Sequence, residues 1–130
     1  MKFLRRLLLI IILVTAVSAC APADSEEIAP LENSEWTLES FGPAGAEVPI
    51  IEESNITLMF GSDEQASGFG GCNDFTTSYE VLNGSIEFGD IASTLVACDL
   101  ETVTDQEDKY FSALSSAEEY ELMDDRLVIR

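Results

Sequence analysis

The chain has 130 residues, of which 25 are acidic and six basic, giving a formal charge of −19 with no histidine. Such a surface repels phosphate backbones and anionic lipid headgroups, which argues against nucleic acid as a partner. The missing histidine removes Ser-His-Asp and Cys-His catalysis and most zinc and copper sites.

Lys2, Arg5 and Arg6 form a basic start, and Leu7 to Val14 is an unbroken aliphatic run. Val17, Ser18 and Ala19 then lead to Cys20. A basic start, an apolar run and small residues before a cut are the parts of a secretory signal, here residues 1–19. The apolar run is shorter than the roughly 20 residues that span a bilayer. Val-Ser-Ala-Cys resembles the lipobox of bacterial lipoproteins. The resemblance implies cleavage before Cys20, diacylglycerol on its thiol and a further acyl chain on the new amine. Two or more chains hold a protein on a membrane stably, whereas one does so marginally. The expected location is therefore the bacterial cell envelope. Ala21, standing where aspartate retains lipoproteins in the inner membrane of enteric bacteria, favours the outer membrane facing the periplasm.

Residues 20–30 read as the lipidated cysteine and an acidic, proline-bearing flexible tether, and 31–130 as one small domain. Cleavage removes three of the six basic residues. Lys109, Arg126 and Arg130 then face all 25 acidic residues, a formal charge of −22. The acidity reads as solubility or salt adaptation, with calcium or a basic partner as the functional alternatives.

Glu35 to Phe41 alternates apolar and polar residues, the period of a strand, with Trp36 and Leu38 on one face. Asn55 to Phe60 repeats the pattern with Ile56, Leu58 and Phe60. Gln65 to Gly71 is glycine-rich and suits a strand with close backbone packing. Thr77 to Leu82 and Ser85 to Phe88 flank Asn83-Gly84, a strong hairpin signal because both central residues need positive φ. Thr104 to Glu107 has the form of a capping box and predicts a helix from Asp105 to about Ser116, with Tyr110, Phe111 and Leu114 on its apolar face. Glu119 to Met123 and Arg126 to Arg130 predict a closing hairpin around Asp124-Asp125.

With Cys20 lipidated, Cys72 and Cys98 are an even pair in an exported domain, where oxidation is expected. A bridge would close a loop of 27 residues. The alternative is two free thiols, although no histidine or neighbouring lysine stands near in sequence to activate one. Acidic pairs for glycoside hydrolysis abound, but the sequence singles out none. Asp99, Glu101, Asp105 and Asp108 are the best calcium candidates, without EF-hand spacing. Asn73, in a glycine-rich turn, suits a local backbone hydrogen bond, a left-handed conformation or ligand contact. Thr94 reads as a turn or strand hydroxyl.

Ser67-Gly-Phe-Gly-Gly-Cys-Asn-Asp-Phe75, followed by Tyr79 and by Ile91-Ala-Ser-Thr-Leu-Val-Ala-Cys98, resembles the META or HslJ-like domain. Trp36 to Ser40 and Leu127 to Ile129 match its first and last strands, so the resemblance spans residues 31–130. It implies an α+β fold, a curved antiparallel sheet or cracked barrel with one helix packed against it. It marks Gly70, Gly71, Asn73, Phe75 and Thr94 as motif and possible binding residues. It also implies a non-catalytic, monomeric binding module without cofactor, linked to heat or antibiotic stress tolerance. Its partner would be an envelope protein. The runner-up is a carrier or pilot that holds a lipid or apolar peptide in its barrel; an acidic-residue hydrolase is the third reading. Leu95 stands where many members carry arginine.

Overall fold

The structure, a computed structural model, describes residues 31–130. The expected signal segment, the expected anchor at Cys20 and the expected tether lie outside the described residues. The elements in chain order are β1 (Ser34–Thr37), β2 (Ser40–Phe41), β3 (Val48–Pro49), β4 (Thr57–Phe60) and β5 (Gln65–Phe69). Then come β6 (Asp74–Leu82), β7 (Ser85–Phe88), β8 (Ala92–Ser93), α1 (Glu101–Ser115), β9 (Tyr120–Met123) and β10 (Arg126–Ile129). No helix among the described residues is long and apolar enough to cross a membrane.

The main sheet runs β1-β4-β5-β6-β7, with β8 also on β6, and every pairing is antiparallel. β6 is its organising strand. It pairs along Gln65–Phe69 on one side, and on the other with β8 near its start and β7 near its end. The β9–β10 hairpin is tied to the β7 edge by Ile86 N–H to the Glu118 carbonyl (3.1 Å) and Tyr120 N–H to the Gly84 carbonyl (2.9 Å). The result is a curled half-barrel of α+β class, as the resemblance implies.

Alternation accounts for the curl. Phe75, Thr77 and Tyr79 of β6, Leu58 and Phe60 of β4, and Ile86 of β7 all point inward and are buried. The helix lays Tyr110 and Leu114 on this concave face. Phe75 meets the Phe111 and Tyr110 rings edge-on at centroid distances of 5.2 and 5.8 Å, and Phe60 meets Tyr79 at 4.9 Å. Edge-to-face pairs of this kind add to the area they bury. The Tyr79 hydroxyl donates to the Gly61 carbonyl at 2.9 Å. Burial, helped by the charges of Glu32, Asp63 and Glu64, pushes its phenol pKa up. Phe60, Phe75, Ile56 and Ile86 are fully enclosed, so side chains fill the half-barrel.

Asn83 and Gly84 have φ of 51° and 87°, the left-handed pair that a tight hairpin needs. Several sequence expectations are corrected. The first strand breaks at Leu38: β2 leaves β4 to pair with β3, while the Leu38 N–H still reaches the Ile56 carbonyl at 2.9 Å. β6 begins three residues earlier than its alternation suggested, at Asp74. The helix starts at Glu101, not Asp105, with Leu100 extended at its N-cap and no side-chain cap. Thr104 therefore lies inside the helix. The capping box fails because Glu107, its acidic member, is buried and bonded elsewhere.

Candidate functional site

The turn between β5 and β6 places two backbone N–H groups side by side. Gly70 N–H closes it onto the Asn73 carbonyl at 2.8 Å, and Gly71 reverses the chain with φ 109°. Gly70 has no room for a side chain: a Cβ there would stand 2.6 Å from Glu107 Oε2 and 2.7 Å from the Phe111 ring. Gly70 thus lets α1 approach the turn.

Glu107 fills the space this leaves. It is 4% exposed, and its carboxylate bonds three donors of the turn. Oε2 accepts from Asn73 N–H at 2.6 Å and Cys72 N–H at 3.1 Å, and Oε1 accepts from Asn73 Nδ2 at 2.7 Å. Its neighbour Gln106, also buried, binds a different loop in the same manner. Oε1 of Gln106 accepts from Ile51 N–H at 2.8 Å, and its Nε2 donates to the buried Ser54 hydroxyl. Two adjacent polar side chains therefore stitch α1 to loops 34 to 55 residues away.

Asn73 passes the connection onward. Its Oδ1 accepts from Thr94 Oγ1 at 2.8 Å and from Val96 N–H at 2.7 Å, and Thr94 N–H reaches the Asp74 carbonyl at 3.0 Å. The Asn73 side chain is thus saturated by distant partners within the protein. Its bonds run to distant residues rather than to the local backbone, and the left-handed residue of the turn is Gly71. Phe75, the next motif residue, is 2% exposed and belongs to the core. Cys72 and Cys98 form a disulfide with Cα atoms 5.8 Å apart, which anchors the far end of the loop.

The Thr94 hydroxyl, the Val96 N–H and Cys98 are each held from within, while the Leu95 and Val96 side chains stand outward. Leu95 is 95% exposed, and neither its N–H nor its carbonyl bonds another described residue. Val96 is 63% and Leu100 55% exposed. Beside this loop, along the β6–β8 pairing, Asp74, Phe75, Thr76, Ala92, Ser93 and Thr94 line an open groove of about 290 Å³. A second depression of about 270 Å³ lies between α1 and the β2–β3 hairpin, with Lys109 and Asp105 at its rim.

The sulfurs of Cys72 and Cys98 and a Glu107 oxygen lie within 4.8 Å of one another, a metal-like spacing. The sulfurs are bonded to each other, and both carboxylate oxygens already accept hydrogen bonds, so no ligand atom is free. Asp99, Glu101, Asp105 and Asp108 are all exposed, and no three of them bring carboxylate oxygens within 4.8 Å of one another. The structure does not assemble the calcium candidates into a site.

Sequence reasoning gave Glu107 the wrong task and did not single out Gln106. A signal was present. Val103, Glu107, Tyr110 and Leu114 follow the spacing of one helical face, so Glu107 stands within the apolar stripe. An acid in such a stripe is either buried with partners or misplaced.

The family model described as META domain matches residues 29–130. The chain belongs to the META-domain family. Its Gly-Cys-Asn turn and Thr94–Cys98 segment, the paired motifs of the META resemblance, are joined in space by Asn73 and the disulfide. An NMR structure of a protein from Burkholderia xenovorans is similar to this META domain, with 25% identity, a TM-score of 0.61 and 76% of each chain covered. A second NMR structure has 21% identity and a TM-score of 0.60, covering 76% of this chain and 81% of the other. Both show the same fold. The chain has no match among curated proteins.

Proposed function

We propose that this META-domain chain is a lipid-anchored, non-catalytic binding module of the bacterial cell envelope, and that the loop from Thr94 to Leu100 is its recognition surface. The observation that carries the reading is the contrast within that loop. Its alternate residues are tied down by Asn73 and the disulfide, yet Leu95 stands almost wholly in solvent. A loop held rigid with apolar side chains outward loses little freedom on binding. The carrier reading has less support, because Phe60, Phe75, Ile56 and Ile86 fill the interior where an apolar ligand would sit. The cellular role that fits is tolerance of heat or antibiotic stress, as for HslJ-like proteins.

The anchor rests on the lipobox resemblance around Cys20. The Cys20→Ala variant is expected to leave the membrane fraction, and the wild-type protein to carry diacylglycerol on Cys20 by intact-mass measurement. Unchanged membrane retention of the variant would refute the anchor. A deletion strain that tolerates heat and antibiotic as well as its parent would remove the stress role.

A further inference from the structure

The partner's chemistry can be read from the same loop, so this inference rests on the recognition surface just proposed. We infer that the Thr94–Leu100 loop and the groove beside it bind a cationic amphipathic peptide segment, one that carries lysine or arginine interleaved with aliphatic side chains.

The apolar half of the match is Leu95, Val96 and Leu100, exposed on one short loop. The charged half is the setting. Asp74 lines the groove, Asp90 precedes β8, and Asp99 and Glu101 flank Leu100. No basic residue occurs anywhere from position 31 to 108. Two of the three basic side chains of the described residues are engaged elsewhere, Arg126 near Glu39 at 3.8 Å and Arg130 with Glu121 at 3.2 Å. The acids around the loop thus have no counter-charge from their own strands.

Charge also selects among occupants. A second copy of this chain brings the same surplus of carboxylates and is repelled, as are anionic lipid headgroups. A purely apolar small molecule gains nothing from the acids. The open groove of about 290 Å³ is also smaller than most sites that enclose such ligands. A cationic amphipathic segment satisfies both halves, with aliphatic contact supplying affinity and the acids supplying steering and selectivity. Strand β8 offers its outer edge to such a segment, since its pairing with β6 uses only one side.

The test uses the full-length protein in mild detergent and a fluorescent peptide of alternating lysine and leucine. A second peptide, with glutamate in place of lysine, serves as control. Saturable binding of the lysine peptide is expected. Affinity should fall about tenfold in the Leu95→Ser/Val96→Ser double variant, the loss of roughly one buried aliphatic side chain. It should fall again with salt, as the Debye length shrinks from about 10 Å at 0.1 M to about 3 Å at 1 M. Both substituted positions are exposed, so an unchanged melting curve separates lost contact from lost fold. Lysine-peptide binding that is undiminished in the double variant would overturn the inference, as it would reflect general attraction to an acidic surface. Equal binding of the glutamate peptide at Leu95 and Val96 would overturn the cationic partner while leaving the recognition surface intact. If neither peptide bound, both the partner class and the loop's role would fall.

Discussion

Glu107→Ala is expected to destabilise the domain by about 3 to 5 kcal/mol, because it strands two buried donors and a half-buried one at once. The N–H groups of Cys72 and Asn73 and the Asn73 amide all point at this carboxylate, and alanine replaces none of their bonds. Glu107→Gln separates the carboxylate's role from its size. Its one oxygen can still accept from the two backbone donors. Its amide nitrogen would then face Asn73 Nδ2, donor against donor. Asn73 cannot escape by flipping, since its Oδ1 is committed to Thr94 and Val96. The glutamine variant should therefore lose roughly 1 to 3 kcal/mol in spite of its shape. Urea unfolding of both variants provides the check. A glutamine variant as stable as wild type would mean that the network does not depend on the second oxygen.

The second large effect belongs to the disulfide. Replacing Cys72 and Cys98 together by alanine releases a loop whose ends are 26 residues apart in sequence. Chain entropy alone assigns such a bridge about 3.5 kcal/mol. For a domain of this size the corresponding fall in melting temperature is roughly 15 to 25 °C. Calorimetry of the double variant measures it, and the same fall should follow treatment of the wild-type protein with a thiol reductant. The two effects will not add. The bridge and Glu107 both fasten Cys72 in the same turn, and neighbours in one network couple by about 0.5 to 3 kcal/mol. A triple variant that loses the plain sum would show that the two fastenings are independent.

These fastenings also show what was legible in the sequence. The inward faces of β4, β6 and β7 could be read because Leu58 and Phe60, Thr77 and Tyr79, and Ile86 alternate with polar residues over enough positions to fix a period. The Asn83-Gly84 hairpin was legible from stereochemistry alone. β3 and β8 were not, since two residues apiece are too few to carry a period and their place is set by partners distant in the chain. The helix start was misread for a related reason. Thr104 and Glu107 have the right local form for a cap, but the helix begins at Glu101 and the turn at Cys72 claims the acid. Asn73 could be noticed from its place in a glycine-rich turn, yet its partners, 21 to 34 residues away, lie beyond any local rule.

The fastening of that turn gives its amides an unusual clock. Turn N–H groups generally exchange with solvent through small local openings. Those of Cys72 and Asn73 are both bonded to Glu107 and are released when α1 withdraws that carboxylate. Their hydrogen-exchange rates are thus tied to opening of the helix from the sheet. Two protons in a glycine-rich turn would report on the integrity of the whole domain, and a partner that braces the neighbouring loop would be felt there as slower exchange.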